Sequence, residues 1–267
     1  MFKMIALDID GTLKVSGEAI SEYTKSVLTR CKDRGAMLVV ATGRSRKSAD
    51  FVASELGILD YVVSFQGALI TLPKSEEPIW SRSLDRARLL DVLQVLSQWE
   101  VEKVAYVKDF ICVEKMTKWT EDYAKRNGVE IRLVSDLCSL DEDPYRLLAV
   151  GEEYEIETIE RITNFKFQRY MYITRSLPNY CEFLNPEAGK EKALDWICKK
   201  HGVKPQEVLA FGNGFNDVGL LAWSGLGVAI EDSEESILNI ADDIALSAED
   251  DGVARYINKL LEKRESR

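Results

Sequence analysis

The chain has 267 residues, 46% hydrophobic and 30% charged, with a net charge of -10 and a pI near 4.9. That balance describes an ordinary globular protein of one large domain or two, long enough to bury a core without disulfide or metal staples. It disfavours nonspecific binding to nucleic acid or to an anionic membrane surface. No apolar run approaches the ~20 residues of a membrane span, and the first residues lack a basic-then-apolar signal pattern.

The first apolar run, Met4 to Leu7, ends in Asp8-Ile9-Asp10-Gly11-Thr12-Leu13. An uninterrupted apolar run reads as a parallel strand buried on both faces. In extended backbone Asp8 and Asp10 point the same way, so two carboxylates crowd together unless a cation lies between them. Ser21 to Arg34 then reads as a helix with Ser21 as its N-cap and Gly35 as its stop. A second run, Ala36 to Ala41, ends at Thr42-Gly43-Arg44 and leads to a helix over Arg46 to Leu56, closed by Gly57. Tyr61 to Ser64 is a third strand, Gln66-Gly67 a turn, Ala68 to Leu72 a strand, and Pro73 to Pro78 a hairpin loop before Ile79-Trp80. Strand and helix in alternation predict a parallel α/β sheet.

From Ser83 the pattern changes. A helix over Leu84 to Trp99 precedes Val104 to Val107 and Phe110 to Val113, two strands joined tightly through Lys108-Asp109. Thr117 to Asn127 is a helix capped by Gly128, Glu130 to Val134 a strand, and Ser135 to Pro144 an acidic loop. Tyr145 to Val150, Glu153 to Asn164 and Arg169 to Thr174 read as strand, helix, strand; Pro178 and Asn179 mark a turn, with no further element before Gly189. Hairpins mixed with helices suggest a separate α+β layer of antiparallel strands.

The first pattern returns with a helix over Gly189 to Lys200 and a strand over Glu207 to Phe211, ending in Gly212-Asn213-Gly214-Phe215-Asn216-Asp217. The helix Val218 to Trp223, strand Leu226 to Ile230, helix Ser233 to Ile240, strand Ile244 to Leu246 and helix Val253 to Lys263 complete the chain. The expected fold is therefore a doubly wound, Rossmann-like parallel-sheet core, residues 1–82 and 181–267, interrupted by an α+β cap, residues 83–180.

Cys31, Cys112, Cys138, Cys181 and Cys198 are scattered without a C-x-x-C, which fits free thiols in a reducing cytoplasm. The one histidine, His201, follows Lys199-Lys200 and precedes Gly202, as at a helix C-terminus where positive charge is favoured. It reads as structural or solvated. Zinc sites rich in histidine, and Ser-His-Asp or Cys-His catalysis, lose their candidates. If the protein is an enzyme, its chemistry falls to carboxylates, a lysine and a hard metal ion.

Three strands end in unusual polar residues: Asp8 and Asp10, Thr42-Gly43-Arg44, and Asn213 to Asp217. In a parallel sheet all carboxyl ends share one edge, and ligands bind outside it. Lys190, at a helix start, reaches the same edge. Acid pairs with amide oxygens favour Mg²⁺, while Thr42, Lys190 and helix N-termini favour phosphate. Together they point to phosphoryl chemistry. Singly, each has an ordinary explanation: an Asp-rich turn, an N-cap at Thr42, a solvated Lys190, a surface Arg44, a Gly-Asn turn at Gly212 to Asp217. Order and strand-end placement bring them together.

These motifs resemble those of the haloacid dehalogenase superfamily, in its Cof-type branch with a large cap after the second motif. The resemblance rests on D-x-D-G-T-L at Asp8 to Leu13, Thr42-Gly43-Arg44, Lys190 in Gly189-Lys190-Glu191-Lys192-Ala193-Leu194, and Gly212 to Asp217 where the family usually has G-D-x-x-N-D. It implies a phosphatase with Asp8 as nucleophile and Asp10 as general acid, then base. It implies Lys190 as a further catalytic residue, and phosphate held by Thr42, Gly43, Lys190 and Asn216. Mg²⁺ would be bound at Asp8, Asp10, Asn213 and Asp217. Two positions depart from the pattern. Asn213 replaces an acidic metal ligand, which removes a negative charge; Gln66-Gly67 replaces the frequent Asn-Gly. The implied partner is a small phosphorylated metabolite, such as a sugar phosphate, with no nucleic acid and no membrane, and a monomer or homodimer in the cytoplasm. A non-catalytic phosphometabolite-binding or regulatory protein and a phosphomutase share this site chemistry. A receiver-type signalling domain lacks a general acid at the Asp10 position and needs no inserted cap.

Overall fold

The computed structural model describes residues 2–15 and 17–265. The first segment runs β1 (Met4–Leu7), α1 (Glu22–Asp33), β2 (Met37–Ala41), α2 (Arg46–Leu56), β3 (Tyr61–Ser64), β4 (Leu69–Thr71) and β5 (Pro78–Ser81). The inserted segment runs α3 (Arg86–Leu96), β6 (Glu102–Val107), β7 (Phe110–Val113), α4 (Lys118–Asn127), β8 (Glu130–Leu133), β9 (Arg146–Val150), α5 (Glu153–Phe167), β10 (Tyr172–Leu177) and β11 (Tyr180–Leu184). The last segment runs α6 (Lys190–His201), β12 (Val208–Gly212), α7 (Val218–Trp223), β13 (Leu226–Ile230), α8 (Glu235–Leu238), β14 (Asp243–Ala245) and α9 (Gly252–Glu265).

The core sheet has eight strands in the order β14-β13-β12-β1-β2-β3-β4-β5. β14 through β3 are parallel, and β4 and β5 add an antiparallel edge. β1 lies in the middle of the parallel part, which explains its wholly buried apolar run. One face of the sheet packs Leu7, Val40, Leu209 and Val228 against α1, α2 and α9. The other packs Met4, Val39, Val63 and Ala210 against α6 and α7. Helix ends follow local chemistry. The Ser21 hydroxyl accepts from the Thr24 N–H to start α1, and Gly57 closes α2 with a left-handed φ of 69°.

The cap sheet has six strands in the order β10-β11-β9-β6-β7-β8. All pairs are antiparallel except β7 with β8, which are parallel because α4 intervenes as a crossover. α3 and α5 cover the outer face through Leu89, Val92, Leu96, Ile156 and Ile159. The inner face carries Tyr106, Ile111, Leu148 and Leu184, which pack with Tyr123 and Ala124 of α4 and with Phe65, Ala68 and Leu69 of the core. One apolar cluster thus spans both layers.

β11 is a strand that the sequence reading does not assign, and it carries the cap sheet past residue 180 to Leu184. β10 starts at Tyr172 and not at Arg169, because α5 continues to Phe167 and a turn follows. The two connections between the layers bond to each other. Asn185 Nδ2 donates to the Ser83 carbonyl at 2.9 Å, and Arg82 pairs with Glu187.

Candidate active site

The β1 ladder continues into the site: the Asp8 N–H donates to the Phe211 carbonyl of β12 at 3.1 Å. The chain then turns tightly, with the Ile9 carbonyl accepting from the N–H groups of Thr12, Leu13 and Lys14. Gly11 stands at φ 74°, where a β-carbon would also collide with the Asn213 side chain. Asp8 is 5% exposed, whereas the Asp10 side chain is 42% exposed.

Lys190, the first residue of α6, is fully buried. Its Nζ donates to Asp8 Oδ1 and to Asp217 Oδ1, both at 2.6 Å. Asp217 Oδ2 accepts from the Asn213 and Gly214 N–H groups, each at 3.0 Å. Two buried carboxylates thus share one lysine. Burial and the Asp217 charge push the Asp8 carboxyl up to about 7, against the pull of Lys190. Burial lowers Lys190, but Asp217 and Asp8 more than reverse it, so the ammonium is held above the usual lysine range.

Asp8, but not Lys190, opens onto a cavity of about 530 Å³, lined from the core by Asp8, Asp10, Thr42, Gly43, Arg44, Asn213, Gly214 and Asn216. The cap lines it with Tyr123, Arg126, Asn127, Arg146, Tyr180 and Glu182. Residues predicted from three separate strand ends therefore meet at one place. Arg44 grips Asp10 with two bonds, Nε to Oδ2 at 2.7 Å and Nη2 to Oδ1 at 2.6 Å. Its N–H donates to Thr42 Oγ1 at 3.2 Å. Arg44 is a site residue, not a plain surface charge. Asn213 Oδ1 accepts from the Thr12 hydroxyl at 3.1 Å.

Asp217 has a different setting from the other expected metal ligands. Both its oxygens are engaged, it is fully buried, and, like Lys190, it does not line the cavity. It holds the lysine and the Asn213-Gly214 backbone in place.

A buried polar network, which the sequence reading does not anticipate, joins the two layers. Asn216 Nδ2 donates to Gln66 Oε1, and Gln66 Nε2 to Glu182 Oε1, each at 3.0 Å. Arg146 Nη1 donates to Glu182 Oε2 at 2.6 Å and to the Gly43 carbonyl at 2.8 Å. Gln66 stands in left-handed backbone, φ 54° and ψ 31°, which turns its amide into this network. The signal for Glu182 lies in Tyr180 to Leu184, a short run bounded by Pro178-Asn179 and Asn185-Pro186, with one carboxylate among apolar neighbours. His201 ends α6 and bonds the Tyr61 hydroxyl at 2.7 Å, a structural role as expected. Among the described residues no helix is long and apolar enough to cross a membrane.

Residues 5–257 match the family model for haloacid dehalogenase-like hydrolases. A putative phosphatase from Haemophilus influenzae is 30% identical over 270 residues, covering 97% of this chain and 98% of its own. A 5-amino-6-(5-phospho-D-ribitylamino)uracil phosphatase from Bacillus subtilis is 26% identical over 262 residues, covering 96% of each. A haloacid dehalogenase-like hydrolase structure from Bacteroides thetaiotaomicron superposes with a TM-score of 0.82 at 26% identity, over 97% of this chain and 100% of that one. With the model spanning all the strand-end motifs and the relatives matched nearly end to end, the chain belongs to the haloacid dehalogenase-like hydrolases and, among them, to the Cof-type phosphatases.

Proposed function

We propose that this phosphatase is Mg²⁺-dependent and hydrolyses a small phosphorylated metabolite, in the simplest case a sugar phosphate, through an aspartyl-phosphate on Asp8. The observation that carries the reading is a nearly buried carboxylate on the cavity wall, bonded at 2.6 Å to a fully buried lysine and crowded by a second carboxylate. The relative from Bacillus subtilis, whose name gives it a phosphorylated ribityl compound as substrate, supports a metabolite of that size.

The donor set fits a hard cation. Asp8, Asp10 and Asn213, all with oxygen-bearing side chains, line one cavity, and among the described residues no three His, Cys, Asp or Glu side chains converge as a ligand group. Mg²⁺ uses one or two carboxylates and keeps several waters, which such a sparse set allows. Asp8, the Asp10 backbone carbonyl and Asn213 would hold it. Its charge would offset the repulsion between Asp8 and the phosphate dianion.

Asp8 attacks phosphorus as the bond to the leaving oxygen breaks, and Asp10 gives that oxygen its proton. Asp10 then takes a proton from the water that attacks the aspartyl-phosphate, and inorganic phosphate leaves. Arg44 bonds both Asp10 oxygens, so Asp10 reaches the leaving oxygen only once Arg44 has moved. The incoming phosphate is the anion able to draw it away. Thr42, Gly43, Lys190 and Asn216 steady the phosphate, with Asp217 acting through Lys190. The test is a hydrolysis screen over phosphorylated metabolites with and without Mg²⁺. Release of phosphate that needs Mg²⁺ is expected; full activity after chelation would overturn the metal assignment.

A further inference from the structure

The cations near the cavity are unequally committed. Lys190 is shared between Asp8 and Asp217, Arg44 is clamped to Asp10, and Arg146 is paired with Glu182. Arg126 also lines the cavity, from the cap side, yet among the described residues none forms a hydrogen bond or ion pair with it. In a chain of net charge -10, an unneutralised guanidinium facing the reaction cavity is conspicuous. Its place in the last turn of α4 suits the helix dipole, but Lys125 beside it meets that need without lining the cavity.

The surroundings of Arg126 are those of a ligand wall. Tyr123, Arg126 and Asn127 stand at i, i+3 and i+4 on α4, so they share one face. Tyr123 is held by a bond from the Tyr106 hydroxyl at 2.8 Å and stacks on Trp119 with ring centroids 4.7 Å apart. Tyr180 meets it edge-on at 6.2 Å. These aromatics are fixed, whereas Arg126 is exposed and able to move onto a ligand. The cavity, about 530 Å³, has room for a phosphate on Asp8 and a leaving group reaching this wall.

We infer that Arg126 is a specificity residue that pairs with a second anionic group, a carboxylate or another phosphate, on the leaving group of the substrate. This rests on the phosphatase mechanism proposed above and names the class of substrate it takes. A planar guanidinium binds either anion through two N–H groups, whereas Lys190 and Arg44 serve the phosphate being transferred and Arg146 stays with Glu182.

The experiment compares kcat/KM within matched pairs: glycerol phosphate against phosphoglycerate for the carboxylate, and a hexose monophosphate against its bisphosphate for the phosphate. p-Nitrophenyl phosphate reports activity as such. The wild type is expected to prefer the doubly anionic member of at least one pair by about ten-fold or more. Arg126→Gln should shrink that ratio towards one, Arg126→Glu should reverse it, and Arg126→Lys should keep most of it. Lys125→Gln removes the same charge one residue away and should leave the ratio unchanged. An equal rate within both pairs for the wild type, or an unaltered ratio in Arg126→Gln, overturns the assignment while the phosphatase mechanism stands. Absence of turnover on every compound, p-nitrophenyl phosphate included, removes both.

Discussion

Arg146 and Glu182 form an ion pair at 2.6 Å with side-chain exposures of only 5% and 1%. They lie on neighbouring strands, since Glu182 pairs with Leu148 and Arg146 stands two residues earlier on β9, which places both side chains on one face. The pair also reaches into the core, through Gln66 and the Gly43 carbonyl. Burial lowers Arg146 and Glu182 outweighs it, so the guanidinium stays charged in the interior. Removing one partner strands a charge. We expect Glu182→Ala to cost about 3–5 kcal/mol in urea unfolding. Arg146→Met with Glu182→Leu together should recover much of that loss. A double variant as unstable as the single would show that packing, and not the stranded charge, dominates.

Asp8→Asn should abolish phosphate release, by roughly four orders of magnitude or more, and leave a folded protein. The change removes the proposed nucleophile while preserving shape and a hydrogen-bond acceptor for Lys190. Initial rates and a thermal melt check it together. A folded variant turning over at the wild-type rate would end the covalent mechanism.

Asn213→Asp should tighten Mg²⁺ binding by about ten-fold, because the amide becomes a carboxylate at the cavity edge. Activity at limiting Mg²⁺ rises, and activity at saturating Mg²⁺ changes less. Calorimetric titration of both proteins decides. Equal affinities would show that this side chain does not touch the metal.

Gly43→Ala should lower both stability and kcat/KM. A β-carbon at Gly43 would run into the Gln66 amide nitrogen, and Gln66 is held on both sides by Asn216 and Glu182. The overpacking is expected to cost about 1–3 kcal/mol. Wild-type stability and activity would mean that Gln66 gives way freely and that the network is loose.

Where local chemistry decides, the sequence was enough. α2, β3, α7 and β13 occupy the residues that periodicity and capping predict. Asp8, Asp10, Thr42, Asn213 and Asn216 meet because strand ends in a parallel sheet must share an edge. The hidden part depends on register. Arg146 and Glu182 face each other only once β9 and β11 are known to pair, and a one-residue slip would send either side chain to the other face. Missing β11 therefore meant missing the network. The setting of Asp217 is hidden for a similar reason. The motif shows a carboxylate at this position, but only the folded chain shows its oxygens bonded to Lys190 and two backbone N–H groups.

The bonded connections at Ser83–Asn185 and Arg82–Glu187 bear on how this chain can be recombined with its relatives. A chimera that exchanges the cap at residue 180 would strand β11 with the wrong parent and split Glu182 from Arg146. Junctions at Arg82 and Glu187 instead keep the returning strand with its sheet and cut the chain where its two crossings already touch. The imported cap would then have to supply its own acceptor for Gln66. A library of such grafts should sort into folded and unfolded members according to whether that acceptor is present.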